Sequence, residues 1–121
     1  MSKPIISEEE FRSAFTAALD TAPNCDYVVG PGRSGAVAAV YASHYLGIPF
    51  VPYKCKIPGK KALVVDTAIM SGETLRKASR YYDDAPYRFA IDEQQTGHVK
   101  FWYEELSMVR GKGKEYIRES F

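Results

Sequence analysis

Ala62-Leu63-Val64-Val65-Asp66-Thr67-Ala68-Ile69-Met70-Ser71-Gly72-Glu73-Thr74-Leu75 decides the fold. Ala62 to Val65 is a continuous apolar run ending in an acid, as strands buried on both faces of a parallel sheet do. A turn from Thr67 to Glu73 follows, and a helix is expected from about Thr74 to Tyr82, broken by Asp83-Asp84-Ala85-Pro86. The hydroxyls of Ser71 and Thr74, with the amides around Gly72, form a nest for a phosphomonoester at a helix N-terminus. Asp66 lies a few residues upstream, placed to accept hydrogen bonds from the hydroxyls of a sugar carrying that phosphate. The pattern describes a ribose 5-phosphate lying along the loop.

The flanking sequence repeats the plan. Asp26-Tyr27-Val28-Val29 reads as a strand running into Gly30-Pro31-Gly32-Arg33-Ser34-Gly35, and Ala36 to Leu46 reads as a helix stopped by Gly47. Glycines permit close backbone approach, the helix start offers unpaired amides, and Arg33 adds a cation able to grip two phosphate oxygens. Upstream, Ser7 and Glu10 form a capping box for a helix carrying Phe11, Ala14, Phe15, Ala18 and Leu19 on one face, ended by Pro23-Asn24. Ile48 to Tyr53, Tyr87 to Ile91 and Val99 to Tyr103 read as further strands. The order predicts a single α/β domain over residues 1–121, a doubly wound parallel sheet of about five strands. Arg110 to Lys114 reads as a solvated basic turn before a short C-terminal helix.

Composition narrows the partners. The chain has 121 residues, with 16 Lys+Arg against 15 Asp+Glu and a net charge of +1. That balance argues against a nucleic-acid binder held by bulk electrostatics. Cys25 and Cys55 fit neither a disulfide scaffold nor a four-ligand zinc site, and no segment reaches the ~20 apolar residues of a membrane span. The expectation is a soluble protein of a reducing compartment, the cytoplasm.

Leu63 to Ala78 resembles the ribose-5-phosphate signature of type I phosphoribosyltransferases, and the order of elements over roughly residues 24 to 92 is similar to theirs. The resemblance implies transfer of ribose 5-phosphate from phosphoribosyl pyrophosphate (PRPP) to a nucleobase, orotate- or purine-type, with release of pyrophosphate. It implies a ribose-5-phosphate site at Asp66, Thr67, Met70, Ser71, Gly72, Glu73 and Thr74, with Asp66 as the catalytic acid facing the ring cation. The pyrophosphate site is implied at Gly32, Arg33, Ser34 and Gly35, and Mg²⁺ is implied as a passenger on the donor, near Asp66.

Some positions differ from the family pattern. Thr67 stands where most members carry a second acid, and Met70 where some place an aspartate to handle a purine proton. Lys54 to Lys60 is shorter than the usual mobile loop, although Lys54, Lys56, Lys60 or Lys61 could touch pyrophosphate. The hood over the base must come from the N-terminal segment, from Asp92 to His98, from Trp102-Tyr103, or from a partner subunit, so a homodimer is expected. Trp102 reads as packing, and His44 and His98 as structural or solvated. A non-catalytic PRPP- or nucleotide-binding domain with a sensing role is the alternative.

Overall fold

The computed structural model describes residues 3–104. Strand β1 is Ile5–Ile6, helix α1 Glu8–Leu19, β2 Tyr27–Val29, α2 Gly32–Leu46 and β3 Ala62–Ile69. They are followed by α3 Glu73–Tyr81, β4 Tyr87–Asp92, α4 Glu93–Thr96 and β5 Lys100–Phe101. All strand pairs are parallel, in a three-stranded sheet of order β2-β3-β4 and a two-stranded one of order β1-β5.

Strand alternation splits the core into two layers. Val28, Leu63 and Val65 face α1 and α2, packing with Phe11, Phe15 and Leu19 and with Ala38, Ala39 and Ala42. Small residues line the buried face of α2, while Phe11 and Phe15 stack at 5.0 Å on the buried face of α1. Tyr27, Val29, Ala62 and Val64 face the other way, onto Leu75, Ala78, Tyr82 and Ala85 at and beyond α3. Helices thus cover both faces of the sheet, as the sequence predicts. The capping box is present: Ser7 N–H donates to Glu10 Oε1 at 2.9 Å, and Glu10 N–H to Ser7 Oγ at 3.0 Å.

Several bounds differ from expectation: α2 begins at Gly32, so the 32–35 stretch read as a loop forms its first turn, and β3 runs on through Thr67 to Ile69 where a turn is expected. Ile48 to Tyr53 is no full strand. Only Phe50 bridges to Val28, since Pro49 and Pro52 have no N–H to give to a ladder. Beyond Phe101 the chain coils into a helical turn, so β5 is shorter than Val99 to Tyr103. Ile5–Ile6 pairs with it as a strand that the sequence does not announce. Helix α1 ends at Leu19, capped by Asp20, a few residues before Pro23. Arg110 to Lys114 and the expected C-terminal helix lie outside the described residues. No described helix is long and apolar enough to cross a membrane.

Candidate functional site

Strand β3 is the longest among the described residues and carries the chain to Met70 before it turns into α3. Gly72 makes that turn at φ 81°, ψ 2°, a left-handed conformation that a side chain would strain. A Cβ there would also meet Arg76 Nη1 at 2.9 Å. Gly72 has no side chain to cap α3, and the amides of its first turn have no intrahelical acceptors. Ser71 Oγ accepts from Glu73 N–H at 3.2 Å. Arg76 folds back over the rim, donating to Ser71 O at 3.0 Å and to Glu73 Oε2 at 3.2 Å. The result is an open cup of about 140 Å³ lined by Asp66 and residues 68–75. Ser71, Glu73, Thr74 and Met70 stand exposed on its rim, and Gly72 is buried at its base.

Asp66 is held where β3 emerges from the core. Burial pushes its carboxyl up to about 6, against 3.8 for an ordinary aspartate, and the Thr67 N–H that it accepts at 2.7 Å only partly opposes this. No described cation pairs with it. On its other side lies a second cavity of about 350 Å³, walled by Ser34, Thr67, Glu93, His98 and Phe101 among others. One carboxylate therefore serves two adjoining spaces.

The glycine loop closes against that second cavity. A Cβ on Gly30 would fall 1.9 Å from the Gly35 carbonyl oxygen, and one on Gly35 2.5 Å from the Gly30 carbonyl carbon. Strand end and helix start touch backbone to backbone, so both glycines are obligatory. Gly32 has φ 68° with open space around it, and the Arg33 side chain beside it is exposed. Ser34 Oγ lies 2.8 Å from the Tyr103 hydroxyl, which in turn lies 3.3 Å from Thr67 Oγ1. Tyr103 thus ties the glycine loop to the end of β3.

No family model and no curated protein matches the chain. Solved structures do. The chain superposes on the Helicobacter pylori xanthine-guanine-hypoxanthine phosphoribosyltransferase with a TM-score of 0.66 at 14% identity, over 90% of this chain and 97% of that one. A purine phosphoribosyltransferase from Pyrococcus horikoshii aligns at TM-score 0.55 and 24% identity, over 75% of this chain and 76% of its own. A hypothetical protein from Neisseria gonorrhoeae with bound ppGpp aligns at 0.52 and 16%, over 76% and 85%. The fold is that of a type I phosphoribosyltransferase.

Within this phosphoribosyltransferase fold, Asp66 and the 71–74 turn come together, and the 32–35 loop stands across from them through Tyr103. Thr67 is turned inward at 2% exposure, its hydroxyl engaged by Tyr103. The lysines of the 54–61 segment sit elsewhere. Lys54 and Lys56 lie over the Tyr81 ring at 5.7 and 4.7 Å, and Lys56 is 3.9 Å from Asp83. Tyr82 pins that segment, donating to Cys55 O and accepting from Lys54 N–H, both at 2.8 Å. Lys60 and Lys61 border a cavity of about 430 Å³ at the opposite, amino-terminal end of the strands, which holds none of the residues of the 66–74 and 32–35 sets. It is larger, but the carboxyl end is where loops from neighbouring strands converge on a ligand.

Trp102 is half-buried and packs on Phe11 at 5.6 Å, a packing role as the sequence suggests, and His98 is exposed 3.8 Å from Glu93. Arg76 escapes the sequence reading although its spacing from Gly72 is that of one helical turn. Gly30 is the glycine before the implied pyrophosphate set, and its place at a strand end was the available signal.

Proposed function

We propose that the protein is a phosphoribosyltransferase that takes PRPP and a nucleobase and releases pyrophosphate. The observation that carries this reading is the shared carboxylate: the cup and the larger cavity meet at Asp66. A ribose 5-phosphate with its phosphate in the cup has its hydroxyls at Asp66 and its anomeric carbon toward the larger cavity. That second space takes the base. In the reaction a base nitrogen bonds to the anomeric carbon as the carbon–oxygen bond to pyrophosphate breaks, its electron pair leaving with pyrophosphate. At neutral pH Asp66 is largely ionised and faces the positive charge growing on the ring.

The exposed Arg33, the amides of the 32–35 loop and the Ser34 hydroxyl fit the leaving pyrophosphate. Among the described residues no three His, Cys, Asp or Glu side chains cluster as a metal site. A single carboxylate fits Mg²⁺ that arrives chelated by the donor, where it neutralises charge on the leaving group. Met70 gives no acid for a purine proton, which favours orotate- or adenine-type acceptors. Free Cys25 and Cys55 fit a cytoplasmic setting. A homodimer would complete the walls around the base, and a scattering mass equal to one chain would count against it.

The test is a panel of nucleobases incubated with PRPP and Mg²⁺, with nucleoside monophosphate and pyrophosphate measured. Product from at least one base is the expected result. Firm PRPP binding with no product from any base would remove the catalytic reading.

A second reading, a regulatory nucleotide-binding domain, is favoured by the pinned 54–61 segment, which leaves the reacting pair without a lid from that side. The Neisseria gonorrhoeae protein with bound ppGpp shares this fold, and ppGpp carries phosphates on both sides of a ribose. Tighter binding of ppGpp than of PRPP, without turnover, would select that reading.

A further inference from the structure

Three hydroxyls join the two halves of the site at distances that let either partner of each bond donate, and the burial of Thr67 favours one direction. Thr67 is 2% exposed, and the Tyr103 hydroxyl at 3.3 Å is its hydroxyl's partner among the described residues. A buried hydroxyl proton with no acceptor carries a desolvation penalty, which favours Thr67 as the donor to Tyr103. Tyr103 then has its own proton to give, and Ser34 Oγ at 2.8 Å receives it. Burial raises the Tyr103 phenol further above its ordinary range, so it keeps that proton throughout the physiological range. Ser34, having accepted, is left with a free O–H at the edge of the glycine loop. The reverse direction would strand the Thr67 proton inside the protein and turn only lone pairs toward the loop.

We propose that Tyr103 is the positioning residue of the glycine loop: the relay Thr67→Tyr103→Ser34 aims the Ser34 proton at the phosphate oxygens of the ligand. The ring is well seated for this. It stacks on Phe101 at 5.6 Å with an interplanar angle of 11° and meets Trp102 edge-on at 5.1 Å. The relay also accounts for Thr67 in place of a second acid. A carboxylate there only accepts, so Tyr103 would donate to it, Ser34 would donate to Tyr103, and no proton would remain for the anion. This inference rests on the phosphoribosyltransferase reading of the glycine loop.

The experiment is a double-mutant cycle of Tyr103→Phe and Ser34→Ala, read by calorimetric titration with Mg²⁺-pyrophosphate, with PRPP, and with ribose 5-phosphate as the ligand of the cup alone. Tyr103→Phe keeps the ring, and a thermal melt checks that the fold is retained. The expected result is a loss of about 5- to 10-fold in pyrophosphate affinity on the wild-type background, falling to less than about 2-fold when Ser34 is already alanine. Ribose 5-phosphate affinity should stay unchanged. Equal losses on both backgrounds, no loss at all, or an equal loss for ribose 5-phosphate would overturn the relay while leaving the functional reading in place. A wild-type protein that takes up neither PRPP nor pyrophosphate would overturn both.

Discussion

Replacing Asp66 by Asn should stabilise the protein at neutral pH while weakening its grip on the donor. In the folded chain this carboxyl titrates at about 6, because burial withholds water from its charged form. In the unfolded chain it titrates near 3.8. Between these values the folded state holds a proton that the unfolded state has released. Stability is therefore fully present below about pH 4, declines as pH rises through the folded value, and levels off near pH 7. A separation of about 2 pH units at about 1.4 kcal/mol each sets an upper bound near 3 kcal/mol.

An Asn amide oxygen still accepts the Thr67 N–H but carries no charge to desolvate. We expect Asp66→Asn to gain about 2 kcal/mol over the wild type at pH 7.5 and to lose that advantage at pH 4. Urea unfolding followed by far-ultraviolet circular dichroism at pH 4, 5, 6 and 7.5 measures both. Titration with PRPP and Mg²⁺ should show a loss of about 10-fold or more, from the missing charged acceptor. Parallel pH profiles for the two proteins, or a variant less stable at pH 7.5, would refute the claim that Asp66 is a half-buried charge with no cation to compensate it.

Other substitutions test the surrounding geometry. Gly30→Ala places a methyl 1.9 Å from the Gly35 carbonyl oxygen and should destabilise by about 3 kcal/mol or more, against about 1 kcal/mol for Gly32→Ala, which meets only its left-handed backbone; similar urea midpoints for the pair would contradict the close approach. Arg76→Ala removes the guanidinium from the cup's rim and should weaken ribose 5-phosphate binding about 3- to 10-fold with little change in melting temperature. Tyr82→Phe severs two hydrogen bonds to Lys54 and Cys55 and should cost about 1–3 kcal/mol while speeding amide exchange across residues 54–61. Unchanged exchange there would mean that the segment is held by something other than that hydroxyl.

What the sequence discloses and what it hides divide along contact distance. Helix α1 is legible because its capping box and its phenylalanines are written within a few residues of one another. The β3 strand, the turn and α3 are legible because an apolar run, an acid and a glycine turn follow in order. Ile48 to Tyr53 misleads, because its apolar content outweighs two prolines that remove ladder donors. The short pairing of β1 with β5 joins opposite ends of the described chain, and two-residue strands carry no periodicity to read. The same distance hides the bond from Ser34 to Tyr103 and on to Thr67. Asp66 is visible as a candidate from its place at the end of an apolar run, although β3 continues past it to Ile69. Its lack of a partner cation is not, since burial is a property of the assembled layers.

The site can also be located by where local rules of stability are broken. Away from it the chain obeys them: Ser7 caps α1, Gly47 closes α2 at φ 70°, and apolar side chains fill both layers. At the carboxyl end of the sheet three exceptions gather: a half-buried carboxylate with no cation partner among the described residues, a helix begun on a left-handed glycine that has no side chain to cap it, and two backbones too close for any side chain. Exceptions elsewhere are milder. Asp83 and Asp84 adopt φ values of 59° and 61°, but aspartate tolerates this region, and the pair simply turns the chain from α3 to β4. Lys54, at φ 75°, is secured by the Tyr82 hydroxyl. Only the carboxyl-end group is left without a structural repayment, and uncompensated departures are what a ligand site requires of its scaffold. Burial and backbone geometry alone, without the likeness to phosphoribosyltransferases, point to the same candidate site.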